Sequence, residues 1–226
     1  MKYLYRIQSF DRVVEIFERK ELYLAHPSSW EDPYESRLKH EASNALFAQC
    51  WSINPQSDAM WRIYSPDRLG LRVKSTRENL RAAIREGLKK DGLKYRLGDV
   101  EYLPQKELNQ RLLDLAETLK ESFTPATAAN SLQWKRRAFE HEREVRLIAY
   151  RKEVSANPQS GLRIKIDPHE LIDDILIDPR APSEFVDAFK FYLKNKIGFQ
   201  GEVGRSLLYA EQKPIEVDPL DPAADL

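Results

Sequence analysis

Glu142-Arg-Glu-Val-Arg146 sets two carboxylates and a guanidinium at alternate positions. With the chain extended from Glu142 to Tyr150, Glu142, Glu144, Arg146, Ile148 and Tyr150 share one face, and Val145, Leu147 and Ala149 share the other. The three charged groups then form a row with a step of about 7 Å. A carboxylate in such a row can hydrogen-bond a sugar hydroxyl and stabilise the positive charge that develops as a glycosidic bond breaks. The plainer reading is a cross-strand ion-pair ladder, each pair contributing roughly 0.2–1 kcal/mol. Arg6 offers a fork for a phosphate or carboxylate, or else pairs internally with Glu144 or Asp32. In Asp32-Pro-Tyr-Glu35, Pro33 holds Asp32 extended to cap a helix start, which leaves Glu35 to face a ligand. Trp51, Ser52, Trp61 and Tyr64 either stack on a base or nicotinamide ring or pack in the core. For Trp61 the core is favoured. Lys135-Arg-Arg137 contacts phosphates or, as such runs more often do, forms a solvated helix face.

Composition removes several other chemistries. The 226 residues include 36 basic and 36 acidic side chains, and this balance argues against general nucleic-acid coating or a polybasic membrane anchor. A single cysteine, Cys50, excludes an internal disulfide and reads as a small buried apolar residue. His26, His40, His141 and His169 show no zinc-ligand spacing, so no metal site is expected from them. The opening residues do not read as a signal peptide, and no apolar run approaches about 18 residues. The expectation is a cytoplasmic protein of bacterial type.

The elements that must hold these residues alternate between strand and helix patterns. Strands are expected at Tyr3–Ile7, Leu22–Ala25, Ala45–Ser52, Leu69–Lys74, Leu162–Ile166, Asp174–Asp178 and Leu207–Ala210. A hairpin is expected across Gly98-Asp99. Phe10, Val13, Val14 and Phe17 mark the buried stripe of a helix that Ser9 would cap. Ser75-Thr-Arg-Glu78 and Asp167-Pro-His-Glu170 read as capping boxes. Leu108, Leu112, Leu115 and Leu119 line a long helix after Pro104, and Phe185, Phe189 and Leu193 mark the last one. A second helix over Thr127–Phe139 would complete a helical pair inserted at about 104–140. Together these give one α+β domain over 1–215, with mixed, mainly antiparallel sheets forming a cleft and helices flanking them. A turn is expected near Asn157-Pro158, and a mobile acidic tail over 216–226.

The order of short motifs resembles a bacterial family described as domain of unknown function 2971. The residues that carry the likeness are Leu4-Tyr5-Arg6, Glu31-Asp-Pro-Tyr-Glu35, Cys50-Trp-Ser52, Met60-Trp-x-x-Tyr64 and Glu142-x-Glu144-x-Arg146. Two departures are Glu31, where the family usually has Asn, and Asp178, where a Gly commonly follows the strand. The pattern is also similar to ADP-ribosyltransferase-like domains, which bind NAD in a cleft between small mixed sheets. That similarity implies an NAD-using transferase, a toxin or phage-defence effector, acting on a nucleic-acid or protein target. Arg6, Glu142 and Glu144 would be its catalytic residues. Arg6, Tyr5, Ser52, Trp61, Tyr64, Asp32, Glu35 and Arg146 would contact the nucleotide. Two rivals stand beside it. One is a Mg²⁺-dependent nuclease or phosphodiesterase using Asp32, Glu35, Glu142 and Glu144; the other is a non-enzymatic nucleotide- or protein-binding module.

Overall fold

The computed structural model describes residues 3–40, 42–89, 93–151 and 161–215. Seven strands form its main sheet: β1 (Tyr3–Gln8), β3 (Leu46–Ser52), β4 (Leu71–Thr76), β5 (Lys94–Asp99), β8 (Glu144–Tyr150), β10 (Asp174–Ile177) and β11 (Glu202–Arg205). Their order is β11-β10-β4-β1-β3-β8-β5, and every neighbouring pair is antiparallel except β10 with β11. Two small sheets stand beside it. β2 (Glu21–Leu24) pairs antiparallel with β9 (Leu162–Lys165), and β6 (Glu101–Leu103) pairs parallel with β7 (Trp134–Arg136). The fold is α+β with mixed, mainly antiparallel sheets, as the alternation of patterns implied.

One face of the sheet carries the main core. Leu4, Val73, Val145, Leu147 and Ile175 meet apolar stripes from α1 (Phe10–Arg19), α3 (Arg77–Lys89), α6 (Pro168–Leu171) and α7 (Ser183–Phe191). Each fully buried Leu, Ile or Val contributes roughly 1.5–3 kcal/mol. In α1 the stripe is Val13, Ile16 and Phe17, while Phe10 stacks edge-on against Phe189 at 4.0 Å. The opposite face is charged in the middle and is covered by α2 (Asp58–Tyr64), by short 3-10 turns and by β7. Outside it lies α4 (Gln105–Glu121), whose Leu108, Leu112, Leu115 and Leu119 pack on Leu38, Leu103 and Trp134 as the leucine spacing required.

Several local expectations fail for physical reasons. No helix spans Thr127–Phe139. Thr124 caps a single turn, α5 (Pro125–Ala128); a 3-10 stretch then leads into β7, so the inserted helical pair is one long helix plus irregular chain. Gly98-Asp99 does not close a hairpin. β5 pairs with β8 while β6 turns away to β7, and Val100 donates to the Glu144 carbonyl at 2.9 Å between them. Thr76, not Ser75, caps α3: β4 runs on to Thr76 and the helix begins at Arg77, so Thr76 Oγ1 accepts from Asn79 N–H at 3.0 Å while the Ser75 hydroxyl donates to the Leu171 carbonyl at 2.7 Å. Ser9 precedes α1 without a side-chain cap. Leu207–Tyr209 is a 3-10 turn after the last strand. The turn near Asn157-Pro158 and the tail over 216–226 lie outside the described residues.

Candidate functional site

The strand of the expected charged row begins two residues late. Arg143 adopts a left-handed conformation (φ 46°, ψ 56°), which ends a 3-10 turn over Arg137–Glu142 and turns the chain into β8 at Glu144. Glu142 therefore leaves the strand, yet its carboxylate returns to the same place. Lys135 Nζ donates to Glu142 Oε2 at 2.5 Å and to Glu144 Oε1 at 2.6 Å, with Glu35 Oε2 3.9 Å away. Arg146 donates through Nε to Glu144 Oε2 at 2.7 Å, through Nη1 to the Leu132 carbonyl at 3.0 Å, and through Nη2 to Glu35 Oε1. Its guanidinium also lies 4.6 Å from the Trp30 ring centroid. All five charged groups are buried.

The basic run therefore is not a solvated helix face. Strand alternation in β7 turns Lys135 to the buried glutamates, and Arg136 forks onto Asp32 at 2.9 and 3.2 Å. Lys135 is the residue that sequence reasoning missed. Its signal was indirect: three buried glutamates against Arg146 leave a charge that the low-dielectric interior does not tolerate alone.

Sheet register fixes the other members. Tyr5 pairs with Ser52, and Ser52 with Glu144, so these three lie side by side on adjacent strands. β1 and β3 pair only at Tyr5↔Ser52. The next residue, Arg6, reaches across the diverging strands to donate to the Cys50 carbonyl and, at 3.4 Å, to Gln8. Among the described residues it makes no ion pair, neither with Glu144 nor with Asp32, and burial pulls its pKa below the ordinary arginine value. Ser52 donates to the Glu142 carbonyl at 2.7 Å and accepts from Asn54 N–H at 3.0 Å, pinning the loop that carries Glu142. Glu144 N–H donates to Tyr102 Oη at 2.7 Å.

Arg6, Tyr5, Asp32, Glu35, Ser52, Trp61, Tyr64, Glu142, Glu144 and Arg146 all line one cleft of about 490 Å³. That volume lies within the range of small-molecule sites. Trp30, Phe139 and the exposed His141 join its wall. Trp61 is buried and serves as a wall, whereas Tyr64 is half open to solvent and donates to Glu142 Oε1 at 3.3 Å. Asp32 does cap the turn at Tyr34, by accepting its N–H at 3.1 Å.

The electrostatics separate the two glutamates. Burial and the neighbouring Glu144 push Glu142 up to about 8. Glu144 is held well below the usual carboxylate range because its neighbours Glu142, Arg146 and Lys135 outweigh its burial. Burial raises Glu35 despite Arg146, and pushes the half-buried Cys50 thiol up to about 12. The arrangement thus holds one ionised carboxylate beside one that titrates near neutral pH. Asp32, Glu35, Glu142 and Glu144, the carboxylates a Mg²⁺ site would use, are turned onto Arg136, Arg146 and Lys135. Among the described residues no group of three or more His, Cys, Asp or Glu side chains is arranged to hold a metal.

Residues 60–147 match the family model described as protein of unknown function (DUF2971). The matched stretch opens on Met60-Trp-x-x-Tyr64 and closes just after Glu142-x-Glu144-x-Arg146, while the motifs at Leu4, Glu31 and Cys50 precede it. Similar solved structures are those of Thermus sp. 2.9 DarT. The complex with NAD+ is 14% identical (TM-score 0.41) and that with carba-NAD+ 15% identical (0.40); both cover 91% of this chain and 95% of that one. The complex with ADP-ribosylated ssDNA is 15% identical (0.43), covering 91% and 94%. No curated protein matches the sequence. Among the described residues no helix is long and apolar enough to cross a membrane.

Proposed function

We propose that the cleft binds NAD and transfers its ADP-ribose to an acceptor. The observation that carries this reading is Arg6, a guanidinium in the cleft with no carboxylate partner among the described residues. A half-buried cation with no ion-pair partner favours an anionic ligand, and a pyrophosphate supplies one. The exposed ring of Tyr64 suits the nucleobase or the nicotinamide end. In the reaction the ribose C1′–N bond breaks and nicotinamide leaves with the bonding pair, losing its pyridinium charge. Glu144, ionised by its neighbours, stabilises the positive charge that spreads over the ribose. The acceptor oxygen or nitrogen bonds to C1′ and gives its proton to Glu142, whose pKa near 8 suits a general base.

The acceptor approaches over the rim of the cleft, where Ile63 and Tyr64 are exposed beside Tyr209 and Arg62. Exposed aromatic groups beside an arginine suit a single-stranded nucleic acid. Labelled NAD incubated with oligonucleotides and with lysate protein tests the reading. Transfer should occur with wild type and be lost in Glu144→Gln, and Arg6→Ala should weaken NAD binding roughly 10- to 100-fold. NAD binding unaffected by Arg6→Ala would remove the foundation of the proposal.

One observation favours a second reading, a nucleotide-binding module. Both oxygens of Glu144 are already engaged, by Lys135 and by Arg146. In that case NAD binds and is not consumed with any acceptor.

A further inference from the structure

The wall of the cleft that carries Met60, Trp61, Ile63 and Tyr64 is α2, a helix of 7 residues. So short a helix does not hold its own shape in water, and its orientation must come from outside contacts. At its start the Ser57 hydroxyl accepts from Met60 N–H at 3.3 Å. Its end is held by a group from a distant part of the chain. Arg180 donates through Nη2 to the carbonyls of Trp61 at 3.0 Å and Ser65 at 2.9 Å, each of which also accepts a backbone N–H, from Ser65 and Arg68, at the end of the last turn. A guanidinium there also complements the negative end of the helix.

Arg180 is itself fixed. Its Nε and Nη2 donate to Asp178 at 3.0 and 2.7 Å, and its backbone N–H does so at 2.7 Å. Asp178 is fully buried and also accepts the Ser65 hydroxyl at 2.6 Å. Ser65 Oγ in turn accepts from Gly70 N–H at 2.9 Å, and a Cβ at position 70 would sit 2.7 Å from Ser65. Asp178 is the residue that directly follows β10. It makes the turn after β10 through its side chain, and the same side chain seats the arginine. None of Ser65, Asp178 and Arg180 lines the cleft.

We infer that Asp178, Arg180 and Ser65 form a clamp that positions α2, and through Tyr64 orients the Glu142 carboxylate in the cleft. Tyr64 is the last residue of α2, one position before the clamped Ser65, and it is the group α2 presents to Glu142. The remaining charged neighbours of Glu142 are Lys135 on β7 and Glu144 on β8, and neither touches the clamp. Arg180 is thus a positioning residue, acting through Tyr64. Its effect on turnover rests on the transferase reading above, whereas its effect on α2 does not.

Arg180→Lys separates these. It keeps a cation near Asp178 but loses the planar Nε–Nη2 fork on that carboxylate, which holds Nη2 against both carbonyls. Amide exchange over residues 58–65 should rise roughly tenfold in this variant, with exchange in β3 and β8 unchanged. If wild type turns over NAD, kcat should fall roughly 10- to 100-fold with KM little changed. Tyr64→Phe should reproduce the loss in kcat without altering the exchange of α2. If wild type consumes no NAD, the transferase reading fails. The clamp is then judged by the carboxyl carbon shift of labelled Glu142 across pH, which both variants should move in the same direction. Unchanged exchange over 58–65 in Arg180→Lys, or an unmoved Glu142 titration in both variants, overturns the inference.

Discussion

The two faces of β8 are equally buried and are held by opposite means. Val145, Leu147 and Ala149 sit in the main core, where attraction is non-directional and shape alone discriminates. One residue along, Glu144 and Arg146 need named partners for every polar atom: Lys135, Glu35, the Leu132 carbonyl. On the first face burial is itself the driving force. On the second, desolvation opposes folding and Coulomb attraction roughly offsets it. A chain that wanted only stability there would do as well with apolar residues, and the proposed reaction in the cleft would give the charged face its purpose.

The largest test of this contrast is Arg146→Ala. It leaves Glu144 and Glu35 buried without their guanidinium and should cost roughly 3–5 kcal/mol in urea denaturation. A loss below ~1 kcal/mol would mean that water reaches this face and that the two faces differ less than described. Leu147→Ala on the apolar side should cost roughly 2–5 kcal/mol through the cavity it leaves. In the transferase reading it should, unlike the charged-face variants, leave NAD affinity per folded molecule unchanged.

A subtler difference concerns protons. The folded state holds Glu142 protonated up to about 8, against 4.5 for the free side chain. Between those values the native state binds a proton that the unfolded chain has released, so this group's contribution to stability falls as pH rises through the window and is level above it. Glu144 acts in the opposite sense, its contribution being lost as pH falls below 4.5. Glu142→Gln should flatten the decline between pH 4.5 and 8 in a series of thermal melts. In the transferase reading it should also abolish the rise in rate through about pH 8. A variant whose stability profile overlays wild type would show that Glu142 does not hold the proton. The smallest effect is expected at Arg111 on α4, whose pairs with Glu101 and Glu107 are solvent-exposed. Arg111→Ala should cost at most ~1 kcal/mol, and less at high salt.

Much of the architecture was legible because it rests on local spacing. Leu108, Leu112, Leu115 and Leu119 announced α4, and the alternation from Val145 to Ala149 announced β8 with an apolar face. Asp167-Pro168 and Asp32-Pro33 announced their caps. The site was legible as a set of residues, and Arg6, Ser52, Tyr64 and Glu144 do line one cleft. What was hidden depended on partners far along the chain. Lys135-Arg-Arg137 looks like a solvated run until β6 makes a strand of it, and Gly98-Asp99 looks like a hairpin turn until β8 pairs with the whole of β5.

By itself, then, the sequence determined the faces: which side chains along β8 are apolar, which are charged, and that a carboxylate pair sits beside an arginine. Periodicity is a property of consecutive residues and needs no partner to be read. Only the tertiary structure decided the electrical state of that pair. The left-handed Arg143 removes Glu142 from the strand, and strand alternation in β7 brings Lys135 between the two glutamates. Burial then raises Glu142 while the surrounding charges lower Glu144. A charge in a low-dielectric interior takes its meaning from its neighbours, and those neighbours come together only when the chain is folded.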